Sequence, residues 1–172
     1  MLSLAGKAKD EKVARAQIYN FDDNQRFDLQ FVPNVRPRTD DQWAQRPYQG
    51  TPYTHAQFLA TGQTSFEVPI ELLVDPNAPK IANQNTTPSV VDGDELVHIE
   101  NVRAVILTWA KIRSDLGRPS LVGYVGPNGT LDYAGYMTYR DLEELDRFPD
   151  GRMRHVILRI GITEWKTPTA RV

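Results

Sequence analysis

Residues 65–74 read Ser65-Phe66-Glu67-Val68-Pro69-Ile70-Glu71-Leu72-Leu73-Val74. Phe66, Val68, Ile70, Leu72 and Val74 fall in one phase, Ser65, Glu67 and Glu71 in the other. Successive side chains on a strand point to opposite faces, so five apolar residues in phase describe a strand with one buried face. Pro69 stands in the outward phase. Proline has no N–H to give to a ladder, which places this strand at an edge or at a bulge. A strand of this kind needs others beside it, and the rest of the chain supplies them.

Upstream, residues 13–19 and 26–32 flank the polar turn Phe21-Asp22-Asp23-Asn24. In the second run Phe27, Leu29 and Phe31 alternate with Arg26, Asp28 and Gln30, so the two runs form a β-hairpin. Prolines 33, 37, 47 and 52 interrupt any regular pattern over 33–55, which reads as an extended loop. Residues 56–60 are a short candidate strand. Residues 75–94, rich in Pro, Asn, Asp and Thr, form a second long loop.

One helix follows. Ile99, Val102, Ile106, Trp109 and Ile112 recur at spacings of three and four, with Val105 beside them, as an apolar stripe. Asp92 or Asp94 suits its N-cap, Lys111 and Arg113 its C-terminal end, and Gly117 with Pro119 its stop. Residues 121–125 and 131–139 then flank Gly126-Pro127-Asn128-Gly129, where Asn-Gly supplies the positive φ of a hairpin turn. Residues 133–148 and 152–165 make a long terminal hairpin around Phe148-Pro149-Asp150-Gly151. The expected fold is mainly β: a single domain over residues 1–172, an antiparallel β-sandwich or partly closed β-barrel with one packed helix.

The 172 residues carry 20 Lys and Arg against 22 Asp and Glu, a net charge of −2. Such a balance argues against a strongly basic nucleic-acid binder. Without cysteine there is no disulfide framework, thiol nucleophile or cysteine zinc site. The first ten residues contain no apolar run of signal-peptide type, and no stretch approaches the ~20 apolar residues of a membrane span. Folding in a cytoplasm is therefore expected, and Asn85-Thr86-Thr87 and Asn128-Gly129-Thr130 are not read as glycosylation sites.

Chemical motifs are weak. Asp92-Gly93-Asp94-Glu95 lacks the ligand spacing of a calcium loop. Asp141, Glu143, Glu144, Asp146 and Asp150 read as a solvated face, and Gly117, Gly123, Gly126 and Gly129 separate strands rather than open a helix on a phosphate. His55, His98 and His155 read as surface or interface residues. Glu67 and Glu71 are the pair a hydrolase would use. No catalytic residue, metal site or cofactor is expected. The segment 36–55 is richer: Arg36, Arg38, Trp43, Arg46, Tyr48 and Tyr53 are of the types that anchor protein interfaces. With Asp40 and Asp41 its basic excess is small, which favours a protein partner over single-stranded nucleic acid. These six are the candidate subunit-docking residues, with the loop 75–91 as a second contact.

Three stretches carry a family resemblance. They are Arg26-Phe-Asp-Leu-Gln-Phe-Val-Pro-Asn34, the run from Phe58 through the Gly62 turn to Asp75, and the run from Gly135 through Arg147-Phe-Pro-Asp-Gly-Arg152 to Trp165. Their order, with a helix between the second and third, resembles the tail-tube and baseplate adaptor proteins of contractile phages and contractile injection systems. That tube-associated family often carries a LysM-type module, for which the residues after Trp165 show no pattern. The resemblance implies a structural virion protein, assembled in the host cytoplasm, that joins tail tube to baseplate as a homo-oligomeric ring of sixfold symmetry. It further implies tail tube, baseplate hub or sheath proteins as partners, with no specific nucleic-acid binding, membrane insertion or enzyme activity. The alternative is a stand-alone β-sandwich module that binds carbohydrate or peptide.

Overall fold

The computed structural model describes residues 15–39, 42–47, 54–60, 64–80, 83–84, 89–91 and 96–164. The elements are β1 (Gln17–Asn20), β2 (Gln25–Asp28), β3 (Arg36–Thr39), β4 (Gln42–Pro47), β5 (Thr54–Ala60), β6 (Thr64–Leu73), β7 (Asn83–Gln84), α1 (Ile99–Ala110), β8 (Leu121–Val125), β9 (Leu131–Arg147) and β10 (Met153–Glu164). Eight strands form one antiparallel sheet in the order β3-β6-β10-β9-β8-β1-β2-β7, and β4 pairs with β5 in a second, two-stranded sheet. The fold is mainly β with one packed helix, as expected. The main sheet is open: its end strands β3 and β7 are not partners, so it does not close into a barrel.

The alternation in β6 sets the core. Val68, Ile70 and Leu72 are buried and stand opposite Ile160, Leu158 and Val156 of β10. Met137 of β9, Val122 and Tyr124 of β8 and Ile18 of β1 continue the same face. Val102, Val105, Ile106 and Trp109 of α1 join that cluster. Each fully buried aliphatic side chain contributes about 1.5–3 kcal/mol as an upper figure, so this face holds the domain together.

The helix ends differ from the sequence reading. His98 is the N-cap, and its Nδ1 accepts from the Asn101 N–H at 3.4 Å. Asp92 and Asp94 lie outside the described residues, and neither is the N-cap. Lys111 caps the C-terminus, and Ile112 is 74% exposed, beyond the stripe. Gly117, at φ 66°, closes a separate turn whose N–H reaches the Arg113 carbonyl at 2.8 Å.

The hairpins around 126–129 and 148–151 form as expected, with Gly129 and Gly151 at positive φ. The first hairpin is shorter than its pattern, because β2 stops at Asp28. Asp28 and Gln30, expected to face outward, are buried: Asp28 accepts from Gln17 Nε2 at 2.8 Å. The primary amide of Gln30 behaves as a one-residue strand. It donates to the Leu73 carbonyl and accepts from the Leu73 N–H, both at 2.8 Å.

That pairing fixes the direction of every backbone group in β6. Leu73 faces outward, while Val74 N–H reaches the Arg154 carbonyl of the β10 side at 2.9 Å. Alternation then sends Pro69 outward, past the end of β3, which pairs only with residues 64–67. β6 is therefore not the edge strand expected, since β3 lies outside it, but Pro69 stands on the stretch that β3 leaves uncovered. The same alternation explains why 33–55 is not a plain loop. Pro37 lies opposite Phe66, where its missing N–H would point away from β6, and Pro47 is the last residue of β4. The loop expected over 75–94 contains β7 and a Val91–Val97 bridge.

Two glycines test this packing. A Cβ on Gly135 would lie 2.0 Å from the Thr163 carbonyl oxygen, which is backbone, whereas one on Gly161 would meet the Thr138 hydroxyl at 2.5 Å. Gly135→Ala should cost about 3 kcal/mol and more than Gly161→Ala, as chemical denaturation of the two variants will read. Equal costs would show that the β9–β10 ladder shifts freely.

Candidate assembly surfaces

Two features of the strand ladder stand out as surfaces for other chains. The first is the β4–β5 ribbon. Thr39 stands opposite Thr64 at the end of the β3–β6 pair, and Gln42 stands opposite Ala60 at the start of the next. β4 and β5 thus form a two-stranded antiparallel ribbon, about 20 Å long at strand rise. Among the described residues its two strands pair only with each other. A two-stranded ribbon is marginal in water by itself.

Two of the six expected docking residues lie in this ribbon and two on β3 of the main sheet. Arg36 and Arg38 are exposed on β3, with Arg38 Nη1 3.7 Å from Glu67 Oε2. Trp43 and Arg46 occupy β4 positions directly opposite Phe58 and His55 of β5. Tyr48 and Tyr53 lie outside the described residues. The second expected contact, 75–91, is described only in part. Its start folds into a turn, with Ala78 N–H on the Asp75 carbonyl at 3.0 Å, beside a pocket of about 280 Å³ that Gln30, Leu96 and Val97 also line.

The second feature has no counterpart among the sequence-based expectations. β9 is 17 residues long, but β8 pairs only with its residues 131–136. Met137 N–H is taken by the Ser120 carbonyl at 3.2 Å. From 138 to 147, β10 is the only described strand that pairs with β9. The acidic run sits here, exposed as expected, but it is not a bare carboxylate face. Arg159 binds both Asp141 and Glu143, Arg147 binds Glu144, and Arg154 lies between Asp146 at 3.3 Å and Asp75 at 3.5 Å. At the tip, the Arg152 and Arg154 guanidiniums stand 5.5 and 5.7 Å from the Phe148 ring centre. Such exposed pairs add little stability; they fix the rotamers of a charged surface.

Other chemistry is structural. Glu67 and Glu71 are four residues apart on one strand, about 13 Å along the backbone, wider than paired hydrolytic carboxylates at roughly 5–9.5 Å. Glu71 instead meets His155 Nε2 at 2.8 Å. Tyr19 and Phe21 meet edge to face at 5.0 Å. Phe21 and Leu131, 41% and 52% exposed, fold over Gly123, where a Cβ would come within 2.6–2.9 Å of both. They cover a glycine in the sheet and do not form an open aromatic platform.

The turn after β1 pins the sheet to the post-helix segment. The buried Asn20 side chain accepts from the N–H groups of Asp22 and Asp23. Asp22 then takes a two-pronged bond from Arg118, at 2.8 and 2.9 Å, and the Leu121 N–H at 2.8 Å. Asp23 holds Arg113 at 2.6 Å. The Arg118 bond, aided by the Leu121 N–H against the opposing effect of burial, holds the Asp22 carboxyl below the usual carboxylate range.

No protein-family model and no curated protein sequence matches the chain.

A carboxyl whose folded pKa is depressed adds stability that is fully present above its unfolded value, about 3.9, and lost as pH falls through the lower folded value. Asp22→Asn should therefore lower Tm at pH 7 by roughly 3–6 °C. The gap between variant and parent should narrow below about pH 4. A gap independent of pH would mean that the carboxylate charge is not what holds the turn.

Proposed function

We propose that this protein is a structural subunit of a contractile phage tail or phage-like injection particle. It sits at the tube end or baseplate hub and assembles as a ring that joins tube and baseplate. Its partners are copies of itself together with tail tube, baseplate hub or sheath proteins. The observation that carries this reading is the β4–β5 ribbon: paired backbone without a third described strand, rooted on an open sheet and bearing Trp43 and Arg46. A ribbon of this kind gains its stability from a neighbour, and Trp and Arg are residues that dominate binding at interfaces. Heterologous contacts between identical subunits close into rings when the rotation permits. The resemblance of the segment order to that of the tube-associated adaptors suggests the particular particle.

The test is native mass spectrometry of the full chain, alone and with tail-tube protein, for the parent and for Trp43→Ala. The parent should form a discrete ring. Trp43→Ala should keep its far-UV dichroism and melting temperature, and its assembly constant should fall about 30-fold, the equivalent of a ~2 kcal/mol hot spot. Normal assembly of Trp43→Ala would rule out the ribbon as the contact. A permanent monomer that binds glycan or peptide would replace the reading with that of a stand-alone binding module.

A further inference from the structure

We propose that the β4–β5 ribbon of one copy adds to the open edge of β9, residues 138–147, in the next copy, so that the ring is stitched head to tail by backbone hydrogen bonds. The proposal rests on the ring reading and names the surface that receives the ribbon.

Strand addition needs an edge with free ladder positions and a strand with a free side. The β9 edge meets the first need. The register places residues 136, 138, 141 and 143 opposite Thr163, Gly161, Arg159 and Ile157, the odd-numbered positions of β10. Met137 turns its N–H the other way, to Ser120. The backbone groups at 139, 142 and 144 therefore face away from β10, and no described strand takes them. The edges at the β3 end of the sheet are blunted. β3 carries Pro37 in its outward phase, β6 carries Pro69, and the amide of Gln30 occupies Leu73. The 138–147 stretch contains no proline.

The ribbon meets the second need: among the described residues each of its strands pairs only with the other. It leaves the sheet at Thr64, the end where Ser65 stands opposite Thr163. The open edge lies toward the other end, where Glu71 and Glu143 flank Ile157. The edge begins at Thr138, level with Gly161 and Glu67, and runs away from Thr64 past Glu71, which is seven residues or about 24 Å along β6; it lies two strands across the sheet. A donor rooted at one end of the sheet and an edge that runs from there toward the other end suit two neighbouring copies. The contact is therefore heterologous, as a ring requires.

Length agrees, and charge does not stand against it. The ribbon strands have six and seven residues, and the open edge has ten. The ribbon strands contain one arginine and no carboxylate, whereas 138–147 contains four carboxylates and two arginines. With Arg154 and Arg159 of β10 paired to those carboxylates, the edge has little net charge, and its charged side chains resist indiscriminate pairing.

The chain has no cysteine, so introduced pairs report contacts without background. Ala44→Cys and Ala56→Cys mark the ribbon; Arg140→Cys and exposed Leu145→Cys mark the edge. Neighbouring strands lie within disulfide reach. Oxidising a mixture of one ribbon variant and one edge variant should give a covalent heterodimer, at least tenfold above either variant alone. The double variant should give a ladder that ends at the ring mass. A ring that yields only ribbon–ribbon or edge–edge dimers, or no disulfide from any pairing, overturns this proposal and leaves the ring reading standing. A monomer both alone and with tube protein overturns both.

Discussion

Backbone N–H and C=O groups must find partners when water is displaced, and in this fold strand length decides where they find them. β9 runs for 17 residues beside neighbours that are shorter on one side. β10 matches it along nearly its whole length, which makes the terminal hairpin the spine of the sheet. β6 matches β10 over nine residues and carries the core alternation. Where neighbours run out, the chain fills in with single groups: the Ser120 carbonyl at Met137 and the Gln30 amide at Leu73. Where the described residues supply no such group, an edge remains.

The parts of this fold legible in the sequence are those whose signal is local. Alternation in β6 and β10, the stripe of α1, and the glycines at 129 and 151 each follow from two or three neighbouring residues obeying one period or one φ requirement. The parts that are not legible depend on register. Pro37 and Pro47 look like breakers until one knows which way each missing N–H would point, and alternation resolves that only after β3 is paired with β6. Asp28 and Gln30 look like the wet face of a strand. The strand stops at Asp28, and both side chains turn inward to partners 11 and 43 residues away. His98, an unusual cap, displaces the two aspartates because the bridge between Val91 and Val97 starts the helix later.

The candidate surface divides in the same way. Composition alone locates the ribbon, since Arg, Trp and Tyr are gathered between prolines, although those prolines hide its shape as paired strands. The β9 edge has no compositional signal. Its carboxylates read as a solvated face, and they are solvated. Its character as an edge comes from the five-residue length of β8, a property of a different segment. The one cue available is the mismatch between a long pattern over 131–147 and a short one over 121–125.

On the proposed ring reading, edge and ribbon would also answer a physical difficulty of any ring subunit, which must remain soluble before assembly and adhere afterwards. A long apolar edge would aggregate. Here the edge is held in a lattice of arginine–carboxylate pairs, each weak and each open to water. The lattice gives the surface a fixed pattern of charge with little net sign, and salt at physiological strength screens what remains beyond about 8 Å. Non-specific attraction is therefore small, while the backbone groups between those side chains keep the directional hydrogen bonding that only a correctly aligned strand can use. Selectivity then resides in geometry: a ribbon of matching length, without carboxylates, approaching along the strand. That separation of solubility from adhesion leaves the main sheet's apolar face to the helix, which already occupies it.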